Sequence, residues 1–430
     1  MQKKLYRTIE RLLDTVDNSG GGHDEQVLGD ILHLLVESDD TASLGVVSGR
    51  LYKEREKNFQ LIKSISGHGP GITGKTVSKS YQPVQDIMRR RLWITSPDSP
   101  GFNPQVEAQF SDMDSAAILI GRDPSYILSL GIRHHGSEDD LRVLLETLRA
   151  SVGIKLREQA LADQMRQART IQQSLLPTGP CEFEGYDIAA VSLPAEEVGG
   201  DVYDLQPVEA GVLGVLLADA SGHGLPAALQ ARDVVIGMRM GMAEGEKITG
   251  TVSRLNRVIH RSGLASRFIS VFYGELESAG NMTYVNGGHV PPLLLARDGR
   301  VFELKSSGPV LGPLPDAIYR RGYLNLRPGE VLAIFSDGVT ERHKPDDDLQ
   351  DPDSSQPPEE FGREGLIQVL RATRHKNARA IVDDVLAAVR EFGQGRPFED
   401  DVSLLIIKRE EVEDYPPAES LTLLSTETRR

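Results

Sequence analysis

A chain of 430 residues with 48 Lys and Arg against 63 Asp and Glu carries a formal net charge of −15. That acidic balance argues against nucleic acid as the main partner, and the length favours two or three domains over a single core. The single cysteine, Cys181, excludes an intramolecular disulfide framework. No run approaches the roughly 18 apolar residues that a membrane span needs, and the N-terminus lacks the apolar core of a signal peptide. The sequence therefore reads as a soluble, cytoplasmic protein.

In chain order, the first region, residues 1–152, mixes helical spacing at 27–36 and 141–152 with strand-like runs at 42–47, 59–65 and 116–120. Helices flanking a set of strands predict a compact α+β module. The order, closed by a long helix from Asp139, resembles a GAF sensory domain, with a PAS-like module as the alternative. A polar helical connector, residues 153–177, follows and is ended by Pro177. Within it Ile154, Leu161, Ala168 and Leu175 recur every seven residues, Ile171 adds a seam position, and Arg157 and Gln164 interrupt the stripe. That pattern predicts either an amphipathic helix packed on its own domain or, the sharper reading, a short parallel coiled coil in a homodimer. Between 178 and 410, strand-like runs at 186–193, 212–217, 268–276, 282–285, 331–335 and 402–407 alternate with helical runs at 225–242, 252–261, 364–374 and 378–392. Residues 344–360, dominated by Asp, Pro, Ser and Glu, and the polar tail 411–430 read as unstructured.

Four aspartates in the third region stand in informative contexts: Asp201 in Gly199-Gly200-Asp201, Asp219 in Asp219-Ala220-Ser221-Gly222-His223-Gly224, Asp337 in Ser336-Asp337-Gly338-Val339, and Asp400 in Asp400-Asp401-Val402-Ser403. Three lie where an apolar run meets a turn, which presents a carboxylate at the rim of a buried strand. Carboxylates converging on one rim suit Mg²⁺ or Mn²⁺, which prefer oxygen ligands, and no cysteine or histidine cluster competes for zinc.

Together with Ile171-Gln172-Gln173-Ser174-Leu175-Leu176-Pro177, Asn286-Gly287-Gly288-His289-Val290-Pro291 and Leu311-Gly312, these motifs occur in the order found in the PPM-type metal-dependent serine/threonine phosphatases. The stretch 171–407 resembles their bacterial SpoIIE/RsbU-like class. The resemblance implies a C-terminal αββα sandwich over 178–410, following the GAF-like sensor and the connector. It also implies two Mn²⁺ or Mg²⁺ ions bridged by Asp219 with help from the backbone carbonyl of Ala220. Asp337 and Asp400 would complete one ion and Asp201 would serve the second, directly or through water. Such a pair neutralises phosphoryl oxygens and lowers the pKa of a shared water. The implied substrate is a phosphorylated STAS-type anti-sigma-factor antagonist in a partner-switching pathway.

Other residues invite a plainer reading. Asp401 and Asp204 neighbour or follow presumed ligands without joining them. Imidazole as a chemical group suits proton transfer, so His223 could be a general acid, but its glycine-flanked place before a helix also suits a turn. His289 reads as packing beneath the site. The pattern Gly69-Pro70-Gly71-Ile72-Thr73-Gly74-Lys75-Thr76 matches a phosphate-binding loop, yet Pro83 interrupts soon after and no strand ending in Asp follows. A non-catalytic phosphatase-like scaffold, or a P-loop nucleotidase, is the alternative function.

Overall fold

The computed structural model describes residues 24–37, 41, 45–66, 73–96, 98, 103, 113–121, 124–133, 138–177, 179–262, 268–344 and 359–411. Two compact units divide the chain, 1–164 and 165–430.

In the N-terminal unit, helix α1 (Asp24–Glu37) precedes strands β1 (Val46–Glu54), β2 (Asn58–Ser66) and β3 (Thr76–Ser78). Helix α2 (Gln82–Arg90) then leads to β4 (Leu92–Thr95), β5 (Asp114–Ile120) and β6 (Tyr126–Ile132), and helix α3 runs unbroken over Glu138–Gln173. The six strands form one antiparallel sheet in the order β3-β2-β1-β6-β5-β4. Period-two alternation sorts their side chains between two cores. Ala116, Ile118 and Ile120 of β5 face a cluster that includes Ile31 and Leu32 of α1 and Leu144, Leu145 and Leu148 of α3. Ala117 and Leu119 face the other side, with Val84 and Ile87 of α2.

Several sequence expectations need correction here. The first strand begins at Val46 and runs to Glu54 rather than occupying 42–47, of which 42–44 lie outside the described residues. Pro83, taken as an interruption, stands in the first turn of α2. Its missing N–H costs nothing there and its fixed φ suits the helix. Of the phosphate-loop pattern, 69–72 lie outside the described residues, and Thr76 opens strand β3 where such a loop would require a helix.

The C-terminal unit contains two five-stranded antiparallel sheets. Strands β7 (Tyr186–Leu193), β8 (Asp201–Glu209), β9 (Val212–Ala220), β10 (Ile269–Glu277), β11 (Asn281–Gly287), β12 (Leu293–Leu295), β13 (Val301–Glu303), β14 (Gly322–Asn325), β15 (Val331–Phe335) and β16 (Val402–Arg409) pair in the orders β14-β11-β10-β9-β8 and β13-β12-β15-β16-β7. Leu213, Val215 and Leu217 of β9 meet Leu332, Ile334, Leu405 and Ile407 in the core between the sheets. The intervening Leu216, Ala218 and Ala220 pack under helices α4 (Gly224–Ala243) and α5 (Ile248–Arg261). Val402, Leu404 and Ile406 of β16 pack under α7 (Gly362–Thr373) and α8 (Ala378–Phe392), and the one-turn helix α6 (Asp337–Thr340) follows β15. The central strands β9, β15 and β16 are thus buried on both faces, and they read as apolar runs without a polar side. Of the segments expected to be unstructured, 344–360 and 411–430, residues 345–358 and 412–430 lie outside the described residues, whereas the Lys344 amide donates to the Glu359 carbonyl (2.8 Å) and Glu360 bridges to His343. Among the described residues no helix is long and apolar enough to cross a membrane.

Candidate active site

The site grows from the edge where β8 and β9 begin and end. Asp201 is the first residue of β8 and stands directly opposite Asp219 in the antiparallel ladder. Asp219 lies inside β9, not in the turn after it. Opposed residues on neighbouring strands present their side chains on the same face, so two carboxylates are held side by side. Gly200 accepts the amide of Ala220 on its own carbonyl (3.1 Å). A Cβ at position 200 would stand 2.5 Å from the Ala220 carbonyl oxygen, so only glycine leaves that oxygen uncovered. Asp337 opens helix α6, and Asp400 lies exposed just before β16.

Asp219 feels the charges of Asp337 and Asp400, and Asp201 feels that of Asp219. Burial, then the charges of Asp337, Asp400, Asp401 and Glu341, pushes the Asp219 carboxyl up to about 7. Burial, Asp400 and Glu341 raise Asp337 to about 6. Asp201 lies well above the usual carboxylate range, from burial first and Asp219 second, partly offset by the hydroxyls of Ser336 and Ser403. Its Oδ2 is buried with no hydrogen-bond partner. A buried, unpartnered carboxylate oxygen facing a second carboxylate lacks a positive charge, and hard oxygen donors of this kind fit Mg²⁺ or Mn²⁺. Among the described residues, however, no three His, Cys, Asp or Glu side chains are already gathered as a metal cage.

The other carboxylates are engaged in scaffolding. Asp401 accepts the amides of Ala195 (2.8 Å), Gly200 (2.5 Å) and Asp201 (3.3 Å). Asp204 takes a two-point grip from Arg239 (2.7 and 2.9 Å), whose guanidinium also donates to the Leu175 carbonyl (2.9 Å). His223 is 84% exposed and pairs through Nδ1 with Glu196 (2.7 Å). His289 is buried beneath the site, bonded to Ser270 (2.7 Å), which itself pairs with Asp219 across the β9–β10 ladder. Burial drops its pKa to about 4, which keeps the ring neutral.

Residues 209–410 match the family described as Stage II sporulation protein E (SpoIIE). Most of the C-terminal unit therefore matches a SpoIIE-type phosphatase domain. The chain is 28% identical over 254 residues to the phosphoserine phosphatase RsbU of Bacillus subtilis, covering 59% of this chain and 72% of the relative. It is also 28% identical over 238 residues to protein IcfG of Synechocystis, covering 49% of this chain but only 36% of that one. The solved SiaA-PP2C domain of Pseudomonas aeruginosa aligns at 18% identity with a TM-score of 0.49, over 59% of this chain and 98% of that domain.

Two residues of the C-terminal unit that hold the site are not marked as such by the sequence. Gln172, near the C-terminal end of α3, donates to the Gly199 carbonyl (2.6 Å) and accepts the Gly199 amide (3.3 Å), so it grips the turn leading to Asp201. It lies within the Ile171-Gln172-Gln173 motif, which gave a signal without a role. Arg342 is buried and donates to the carbonyls of Pro397 and Arg396 (both 2.7 Å) and Gly393 (3.4 Å). It thereby fastens the loop carrying Asp400 to the turn carrying Asp337. Nothing local in the sequence marks it.

Asp401→Ala should destabilise the metal-free protein by about 3 kcal/mol, because it leaves buried amides without an acceptor. Asp400→Ala should change stability by no more than about 0.5 kcal/mol. Urea denaturation of both variants in chelator checks the contrast.

A second expectation concerns pH. In the metal-free folded state Asp219 and Asp337 keep their protons up to about 7 and about 6, above the ordinary carboxylate range. In that window the folded protein binds more protons than the unfolded chain, so stability falls as pH rises. Acidifying the chelated protein from about pH 7.5 to about pH 5 should therefore raise its urea midpoint, and Asp219→Asn should flatten the slope.

Proposed function

We propose that this chain is a metal-dependent phosphoserine/phosphothreonine protein phosphatase governed by its N-terminal unit. The observation that carries the reading is the pair Asp201 and Asp219, opposed across two strands, with Asp219 within electrostatic reach of Asp337 and Asp400. Asp219 is assigned to bridge two Mn²⁺ or Mg²⁺ ions, the Ala220 carbonyl to assist it, Asp337 and Asp400 to complete one site, and Asp201 to serve the other. Such ions, when bound, supply an acidified water as nucleophile and neutralise the phosphoryl oxygens. The residues of this chain fix where that can happen. Asp401 and Gln172 hold the turn before Asp201, and Arg342 holds the loop before Asp400. Likeness to a relative named a phosphoserine phosphatase supports the reaction class. The proposed substrate is a phosphorylated STAS-type anti-sigma-factor antagonist.

The proposed organisation places a GAF-like sensor at 1–152, a connector at 153–177 and the phosphatase at 178–410. A six-stranded antiparallel sheet with helices against both faces supports the first assignment. The connector is proposed to pair with a second copy. Ile154, Leu161 and Ile171 are 51%, 58% and 61% exposed, and a seven-residue apolar repeat left uncovered suits a parallel partner of the same sequence. Leu175 does not extend that seam. It lies beyond the end of α3, with its carbonyl taken by Arg239.

Asp219→Asn should abolish Mn²⁺-dependent dephosphorylation and the metal-induced rise in melting temperature while leaving the fold intact. Retention of about a tenth of wild-type turnover would remove the bridging assignment. The pair Arg157→Leu with Gln164→Leu should tighten the dimer by analytical ultracentrifugation and fix activity at one level, since polar seam residues cost stability. A monomer that responds as wild type does would exclude the switch.

A further inference from the structure

The N-terminal unit contains a cavity of about 440 Å³ between the middle of α3, the end of β5 and the residue that terminates α2. Its walls include Arg91, Arg149 and Arg157. Arg239 is held by Asp204 and Arg342 by three carbonyls, although the Nε of Arg342 is itself buried with its donor unmet. Of the three cavity arginines, Arg149 is half-buried, and Arg91 and Arg157 are exposed. Among the described residues none of their guanidinium groups has a hydrogen-bond or ion-pair partner, and the Nε of Arg149 is buried with its donor unmet. Arg91 also adopts a left-handed conformation (φ 68°) at the end of α2, a shape that a residue with a Cβ takes at a cost. The one carboxylate in the wall, Asp24, already has a partner.

We infer that this cavity is a binding site for a small molecule carrying two or more negative charges on oxygen. The argument rests on chemistry and shape. Planar guanidinium groups match phosphate and carboxylate oxygens at two points, and a buried donor without a partner is stabilised by acquiring one. The volume falls within the range of small-molecule sites, about 300–1,000 Å³. Ile120 and Leu156 offer an apolar wall for the carbon part of such a ligand. At Gly153 nothing lies within 4 Å of where a Cβ would stand, so the helix itself leaves the space open. The site shares no residue with the carboxylate cluster of the C-terminal unit and does not depend on its activity. Three of its residues, Arg149, Gly153 and Arg157, lie on the same helix as the proposed dimer seam, so a bound anion would act directly on α3.

The test uses full-length protein with Asp219→Asn, in chelator, so that the catalytic centre cannot report. Isothermal titration with pyrophosphate, citrate and ADP separates a pure charge requirement from one that includes a carboxylate skeleton or a planar group. At least one should bind, with a raised melting temperature. Arg91→Gln with Arg149→Gln should weaken it by at least about tenfold, as loss of charge-assisted hydrogen bonds requires. Gly153→Leu, a substitution that favours helix and removes no charge, should weaken it likewise by filling the cavity. Arg149→Lys should lose less than Arg149→Gln. Failure of all three anions to bind in the millimolar range overturns the inference, and so does binding that survives either the double variant or Gly153→Leu.

Discussion

The C-terminal half of this protein is organised around a repulsion. Antiparallel pairing sets Asp201 opposite Asp219, burial strips both of water, and Asp337 and Asp400 add charge to the same neighbourhood. Like charges in such surroundings resist ionisation. The sandwich tolerates the arrangement because its hydrophobic layers enclose the strands on both faces and leave the β8–β9 edge no freedom to splay. The folding energy of two cores thus holds in place a cluster that would disperse in a free chain, and its unmet need is for positive charge.

A second set of contacts keeps that cluster from collapsing on itself. The amides near the aspartates divide between two tasks, and that of Asp401 donates to Asp400 (2.8 Å). Those of Ala195, Gly200 and Asp201 are drawn to Asp401, and the Ser336 and Ser403 backbones and hydroxyl lock the starts of α6 and β16 together. Arg342 performs the same service for residues 393–397, while His343 holds Glu399 at 2.8 Å, next to Asp400. A scaffold satisfied internally leaves the remaining carboxylate oxygens available to something from outside. Division of labour between adjacent residues, Asp400 exposed and Asp401 bound, is what makes the site open.

How far the sequence discloses this depends on whether the cause is local. The strands at 186–193 and 331–335 and helix 378–392 emerge at the expected bounds because their apolar runs are bounded by turn residues. Strand β8 was missed, since Asp201-Val202-Tyr203-Asp204 mixes charge with apolar residues and becomes a strand only by pairing along β9. Strand β6 went unrecognised although Tyr126, Leu128, Leu130 and Ile132 alternate, because Ile127 on the opposite face is also buried and blurs the period. The four aspartates were legible from their motifs. The roles of Gln172 and Arg342 were not, because each acts across the fold, on Gly199 and on residues 393–397, and no spacing rule reaches that far.

Unmet polar groups are informative only when their charge makes the deficiency expensive. The Tyr319 hydroxyl and the Gln230 Oε1 are also buried without partners. Both belong to neutral groups, and burial pushes Tyr319 up to about 12, further from ionisation. Their desolvation costs a modest amount that a large core absorbs. The Asp201 carboxylate oxygen and the Nε donors of Arg149 and Arg342 are different, because an unmet position on a charged group is a larger burden than one on a neutral group. A carboxylate can relieve it by taking up a proton, as the raised values at Asp201 and Asp219 indicate. Arginine has no such escape, since its guanidinium stays charged at any pH a protein meets. Three arginines around one cavity, Arg149 half-buried and Arg91 and Arg157 exposed, in a chain of net charge −15, point to a counter-charge from outside the chain.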